Sequence, residues 1–216
     1  MPTIHIAGIN HFNPFCRQRI VHWLEEVREK SGQDSPCFVA VEFDDAAHRE
    51  VVIQRNNYRN SIRDVWPHLS PENTELLVQG LGYEGDAHRT VFPETDVIWL
   101  DQGRACPEIA TFASDHLIKY RVDLALLAMK GVQLDPADPH FLQRLIAEGG
   151  ALLPEEPFVA GERDKLFADR IVGGVQNCGA GWAAVIVGCR HAEYGNGSMI
   201  DILQATGIDL QPTLLT

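Results

Sequence analysis

Four short apolar runs, separated by stretches of helical character, constrain this chain more than any other feature. They are residues 3–7 (Thr-Ile-His-Ile-Ala), 37–43 (Cys-Phe-Val-Ala-Val-Glu-Phe), 97–101 (Val-Ile-Trp-Leu-Asp) and 183–187 (Ala-Ala-Val-Ile-Val). Runs of this length, fenced by turn formers such as Gly8, Pro36 and Asp44-Asp45, read as strands. Asn13-Pro14 supplies a cap and a first-turn proline for a helix over about residues 15–29, a polar helical stretch covers about 46–66, and Ser70-Pro71 repeats the cap signal for 72–79. Ser114-Asp115 caps a helix over about 116–129, and a helix over 163–176 leads through Gly179-Ala-Gly181 into the fourth run. A last helix over 198–206 precedes a tail that adds an edge strand. Parallel neighbours need crossovers of a dozen or more residues, which these helices provide. The expected fold is therefore α/β, a single domain over residues 1–216 with a mixed, mostly parallel sheet flanked by helices. Residues 134–157 carry four prolines around a helical piece near 140–147 and read as a surface excursion or lid.

Charge and cysteine usage narrow the function classes. The net charge is −12, so nucleic acid or anionic lipid would meet a repulsive field, and neither is an expected partner. No run approaches the roughly 20 apolar residues of a membrane span, and no basic-then-apolar leader opens the sequence, so a cytoplasmic protein without an anchor is expected. Cys16, Cys37, Cys106, Cys178 and Cys189 are an odd number without a C-x-x-C pair. They read as reduced thiols packed as small hydrophobes.

Ligands of open α/β sheets bind outside the carboxyl ends of the strands, so the residues just past each strand matter most. After the first comes Gly8-Ile-Asn-His11. The second ends at Glu42 and Asp44, the third at Asp101 with Arg104 close behind, and the fourth leads into Gly188-Cys-Arg-His191. Each glycine is read as letting the chain turn off its strand so that the histidine folds back over the sheet end. Two imidazoles and a carboxylate form the first shell of many zinc, manganese, iron or cobalt sites. Gly-x-x-His is also a short pattern, and a histidine after a strand equally serves as a loop residue bonding a carbonyl. Glu42 is costly to bury unless it coordinates or is paired, and a helix arginine would make that pairing purely structural. Asp101 carries the same two readings; Asp44 beside Asp45 reads as a solvated helix cap. There is no Walker loop, His-Glu-x-x-His or Gly-x-Ser-x-Gly elbow, and the glycines at 173–181 do not form a dinucleotide fingerprint. Cys189 reads as packing. His5 reads as a satisfied core or interface histidine, while His22, His48, His68, His88, His116 and His140 lack ligand spacing. Arg49, Arg55, Arg59 and Arg63 read as a solvated helix face, with attraction of an anionic substrate as the other reading.

Taken in order, these elements resemble the TraB/TIKI family, a branch of a group that includes erythromycin esterase-like and ChaN-like haem-binding proteins. The resemblance rests on Gly8-Ile-Asn-His11, Val39-Ala-Val-Glu42-Phe-Asp44, Tyr83-Glu84, Trp99-Leu-Asp101-Gln-Gly-Arg104, the Glu162-Arg163-Asp164 helix and Gly188-Cys-Arg-His191. Where the family opens with a Gly-Thr-x-His flavour, this chain has Gly-Ile-Asn-His. The resemblance implies a metal-dependent hydrolase or peptidase. In it His11, Glu42 and His191 are the metal or catalytic-base group and Arg163 is a buried partner or oxyanion stabiliser. Glu84 and Asp101, with Arg104 and Glu162, would support them.

The expectation is thus a hydrolase of a small-molecule or peptide substrate, cleaving an amide or ester bond with a divalent ion (Mn, Co, Fe or Zn) at His11, Glu42 and His191. Two other readings stand beside it. One is a metal-free hydrolase with a histidine general base oriented by Glu42; the other is a noncatalytic protein binding haem, iron or a small ligand. His5 and the C-terminal edge strand leave a homo-oligomer open.

Overall fold

The computed structural model describes residues 2–32, 35–103, 109–149, 161–179 and 181–215. The elements run β1 (Thr3–Ile9), α1 (Cys16–Ser31), β2 (Val39–Val41), α2 (Asp45–Val65), α3 (Pro71–Gly80), β3 (Val97–Trp99), α4 (Ile109–Met129), α5 (Phe141–Gly149), α6 (Glu162–Val175), β4 (Trp182–Gly188), α7 (Met199–Ala205) and β5 (Asp209–Leu214). Short 3-10 turns occupy Tyr83–Gly85, Ala87–Thr90 and Cys189–Ala192. The five strands form one all-parallel sheet in the order β3-β2-β4-β1-β5, flanked by helices, as the alternation of runs and helices predicts.

β4 is the strand to which the site owes its position. All seven of its residues are buried, the near-continuous apolar run of a parallel strand covered on both faces. Its alternate side chains feed two cores. Ala183, Val185 and Val187 join Ile4, Ile6 and Ala40 under Phe167, Ile171, Met199 and Leu203 of α6 and α7. Trp182, Ala184 and Ile186 join Val39 and Val41 under Ile20, Trp23 and Leu24 of α1. A third cluster packs α2, α3, α4 and α5 on one another through Ile62, Leu77, Tyr120, Phe141 and Leu145.

Four readings are corrected. First, Gly8 does not stop β1, which runs on to Ile9 with Gly8 paired to Val187 and Leu214. Second, residues 141–149 are not a surface excursion: Phe141, Leu142 and Leu145 are core, an apolar stripe at one-turn spacing that outweighs the flanking prolines. Residues 150–157 lie outside the described residues. Third, Cys37 and Cys178 form a disulfide rather than two thiols; they lie 141 residues apart, where no local spacing could reveal the pairing. Cys16 and Cys189 are free, and Cys106 lies outside the described residues. Fourth, Arg55 is not on a solvated face, because its guanidinium bonds the Leu81 carbonyl and Asp86.

Candidate active site

Because β4 lies between β1 and β2, the carboxyl ends of these three strands are neighbours. His11 stands two residues beyond β1, Glu42 one beyond β2 and His191 three beyond β4, while the first turn of α6 brings Arg163 and Asp164 to the same edge. Glu42 is the hub. Its Oε1 accepts a 2.8 Å bond from Arg163 Nη2, and its Oε2 accepts one of 2.5 Å from the Gly188 N–H. His11 Nε2 lies 3.6 Å from Oε2 and His191 Nε2 lies 3.6 Å from Oε1. Arg163 also spans to Asp101, from Nε at 3.2 Å and Nη2 at 2.5 Å.

Each histidine is held from behind. His11 Nδ1 is 2.5 Å from Glu84 Oε1, and His191 Nδ1 is 3.1 Å from Asp164 Oδ1. A carboxylate accepts, so each Nδ1 carries the proton and each Nε2 is left to face Glu42. Asp164 has further duties: it accepts the Met199 and Gly161 N–H groups, which ties the start of α7 to the start of α6.

Exposure sorts the cluster by sign. The side chains of His11, His191 and Arg163 are 32%, 15% and 36% exposed, whereas those of Glu42, Glu84 and Asp164 are 6%, 1% and 3%. Acids form the floor and nitrogen groups the accessible face. Burial alone would raise the Glu42 pKa, but His11, His191 and Arg163 outweigh it and pull the group down to about 2. Burial alone would lower that of His11; the Glu42 and Glu84 carboxylates reverse this and hold it well above the ordinary histidine value.

The glycines before the histidines work by proximity. Gly188 has an ordinary extended backbone with φ of −54°, yet a Cβ there would stand 2.7 Å from His11 Nε2 and 3.2 Å from Glu42 Oε2. A Cβ at Gly8 would meet Leu214 at 2.6 Å and Ala192 at 2.7 Å. The expectation that these glycines permit sharp turns is therefore replaced by one of close approach.

His11, Glu42, Glu84, Asp101, Arg163 and His191 are thus brought together as the sequence suggests. Glu162 is not: it is exposed, one position before Arg163. Arg104 lies outside the described residues. Asp44 is a buried cap rather than a solvated one, accepting the Ala47 and Gly103 N–H groups. The sequence reading passes over Asp164 as a site residue. Its signal is nonetheless present, since an acid three residues beyond Gly161 at a helix start is half of a capping box.

The donors fit a divalent ion in chemistry: two imidazoles oriented by carboxylates, beside a third carboxylate, at separations near the roughly 3.4 Å edge of a tetrahedral zinc shell. Among the described residues, however, no group of three or more His, Cys, Asp or Glu is arranged to hold a metal ion as it stands. Each Glu42 oxygen already accepts one hydrogen bond, from Arg163 and from Gly188. No family model, curated protein or solved structure matches this chain.

Proposed function

We propose that the protein is a hydrolase of an amide or ester bond in a small-molecule or peptide substrate, and that a divalent ion assists it. The observation that carries this reading is the pair of carboxylate-oriented imidazoles facing one carboxylate. Glu84 and Asp164 each fix Nδ1 as the donor to a carboxylate, so that Nε2 of a neutral His191 can accept the proton of an attacking water and later return it to the leaving group. Arg163 is anchored through Nε and Nη2, which leaves Nη1 for the charge that develops on the substrate oxygen. Glu42 keeps the face from accumulating positive charge. A bound divalent ion, held by His11, His191 and Glu42, would lower the pKa of water and polarise the scissile carbonyl. Glu42 would ligate through the lone pairs left beside its bonds to Arg163 and Gly188.

The metal-free variant is favoured by one specific observation, the hydrogen bonds from Arg163 and the Gly188 N–H with which an ion at Glu42 would have to share its two oxygens. Elemental analysis of protein purified without chelator or affinity metal, beside His11→Ala and His191→Ala, separates the two. Near-stoichiometric metal lost in both variants supports the metal-assisted reading. Turnover of ester and peptide probes that survives EDTA supports the metal-free one. A Soret band on haem titration with no hydrolysis of either probe would overturn both. A cytoplasmic location belongs to the same proposal. Among the described residues no helix is long and apolar enough to cross a membrane. The Cys37–Cys178 bridge weighs against the cytoplasm, since disulfides persist mainly in oxidising compartments, so thiol trapping of that pair in fresh cell extract tests it.

A further inference from the structure

Three consecutive carbonyls carry His11 past the end of β1, and each accepts a hydrogen bond from a buried side chain of another element. Tyr83 Oη donates to the Asn10 carbonyl at 2.8 Å, His116 Nε2 to that of His11 at 3.2 Å, and Tyr120 Oη to that of Phe12 at 2.6 Å. The three donors belong to the 3-10 turn Tyr83–Gly85 and to α4, and all are buried. The parallel ladder of β1 ends at Ile9, paired with Gly188, so the sheet gives these carbonyls no partners. The local turn supplies one bond to them, from the Asn13 N–H to the Asn10 carbonyl.

We propose that Tyr83, His116 and Tyr120 are positioning residues that clamp the His11 loop. The clamp takes its task from the hydrolase reading above, while its geometry stands independently. The Asn10 carbonyl belongs to the peptide entering His11 and the His11 carbonyl to the peptide leaving it. Fixing both planes fixes φ and ψ of His11, and with them the direction of its Cα–Cβ bond. The ring is then set by Glu84, the residue after Tyr83, so neighbours in one turn hold the backbone and the imidazole of the same histidine. A carbonyl only accepts, which places the His116 proton on Nε2.

Satisfaction of buried hydroxyls is common, but it is not automatic in this core. Tyr58 packs in the same cluster as Tyr120, and its buried hydroxyl has no hydrogen-bond partner among the described residues. That makes Tyr58→Phe a matched control, an isosteric loss of a hydroxyl that touches no site carbonyl.

The test compares parent, Tyr83→Phe, Tyr120→Phe, His116→Leu, His116→Gln and Tyr58→Phe. Amide hydrogen exchange is read over residues 9–16, and the rate of His11 carbethoxylation relative to His191 is mapped by peptide mass. One lost bond raises local exchange about fivefold to tenfold, so Tyr83→Phe, Tyr120→Phe and His116→Leu should each do so and modify His11 faster. His116→Gln, which keeps a donor, should restore parental behaviour, and Tyr58→Phe should match the parent. Equal exchange and modification in Tyr83→Phe, Tyr120→Phe and the Tyr58→Phe control would overturn the clamp, whether or not His116→Leu folds. Neither readout needs a substrate, so absence of hydrolysis in the parent would count against the proposed function and leave the clamp result standing.

Discussion

Replacing Asp164 by alanine separates the structural work of this carboxylate from its work on His191. The side chain accepts from three donors that differ in their access to water. Met199 is fully buried, so its N–H would lose its partner with no replacement, a cost of about 1–3 kcal/mol. Gly161 is exposed and its N–H can turn to water, so the loss there is that of a helix cap, about 0.5–2 kcal/mol. The His191 ring keeps some exposure and loses an ordinary net bond of about 1 kcal/mol. Asp164→Ala should therefore unfold about 3–5 kcal/mol more easily, which at this chain length lowers Tm by about 7–15 °C. Asp164→Asn can still offer one oxygen to Met199 and His191 and should cost only about 1–2 kcal/mol. It should nonetheless weaken metal affinity or turnover about 10–100-fold, the usual effect of losing the carboxylate behind an imidazole. Urea denaturation followed by circular dichroism gives the stabilities. Glu162→Ala, two residues away and exposed, should stay within about 0.5 kcal/mol of the parent. A cost below about 1 kcal/mol for Asp164→Ala would refute the accounting.

Three further outcomes rest on the same geometry. Gly188→Ala places a methyl 2.7 Å from His11 Nε2, so a crystal structure of the variant should show the imidazole displaced from Glu42, with turnover lost while the fold remains. Burial, reinforced by Arg89, holds His88 down at about 4. The unfolded ring takes its proton near 6.5, so this contribution is full above pH 6.5 and is lost as pH falls towards 4, by about 2 kcal/mol between pH 7 and 5. His88→Leu should flatten the urea midpoint over that interval, and an unchanged slope would assign it elsewhere. Replacing Cys37 and Cys178 by serine opens a closure of 141 residues and should cost about 2–5 kcal/mol, measured against the oxidised parent.

The strand ends are legible in the sequence because burial and chemistry are written differently there. An apolar run that ends in Glu42, and glycines with histidines three residues on, mark where a sheet stops packing and starts presenting groups. Features that depend on distance in space are not legible in the same way. Asp164 looks like a helix cap in sequence and is one; only the fold shows that its other side faces His191 and Met199. Arg55 falls in a row of arginines that a helical wheel assigns to water, yet the Leu81 carbonyl and Asp86 draw it inward. Pro136 and Pro139 suggest a surface detour, whereas Phe141 and Leu145, a few residues further on, belong to the core. The glycines stand out at the right positions for the wrong reason, because a missing Cβ serves close packing as readily as an unusual φ.

The strand order also has a consequence during synthesis. β1 is made first but pairs only with β4 and β5, both of which begin after residue 181. Until β4 leaves the ribosome, the sheet has a gap where its middle strand belongs, and β1 stands beside β2 with nothing between them to bond either. His11 and Glu42 cannot meet before that insertion, and the Gly188 N–H that anchors Glu42 arrives with it. A chain truncated anywhere before β4 would therefore carry most of the site's residues and none of its assembly. Such long-range closure favours slow folding with little native sheet beforehand, so competence arrives as a single late event.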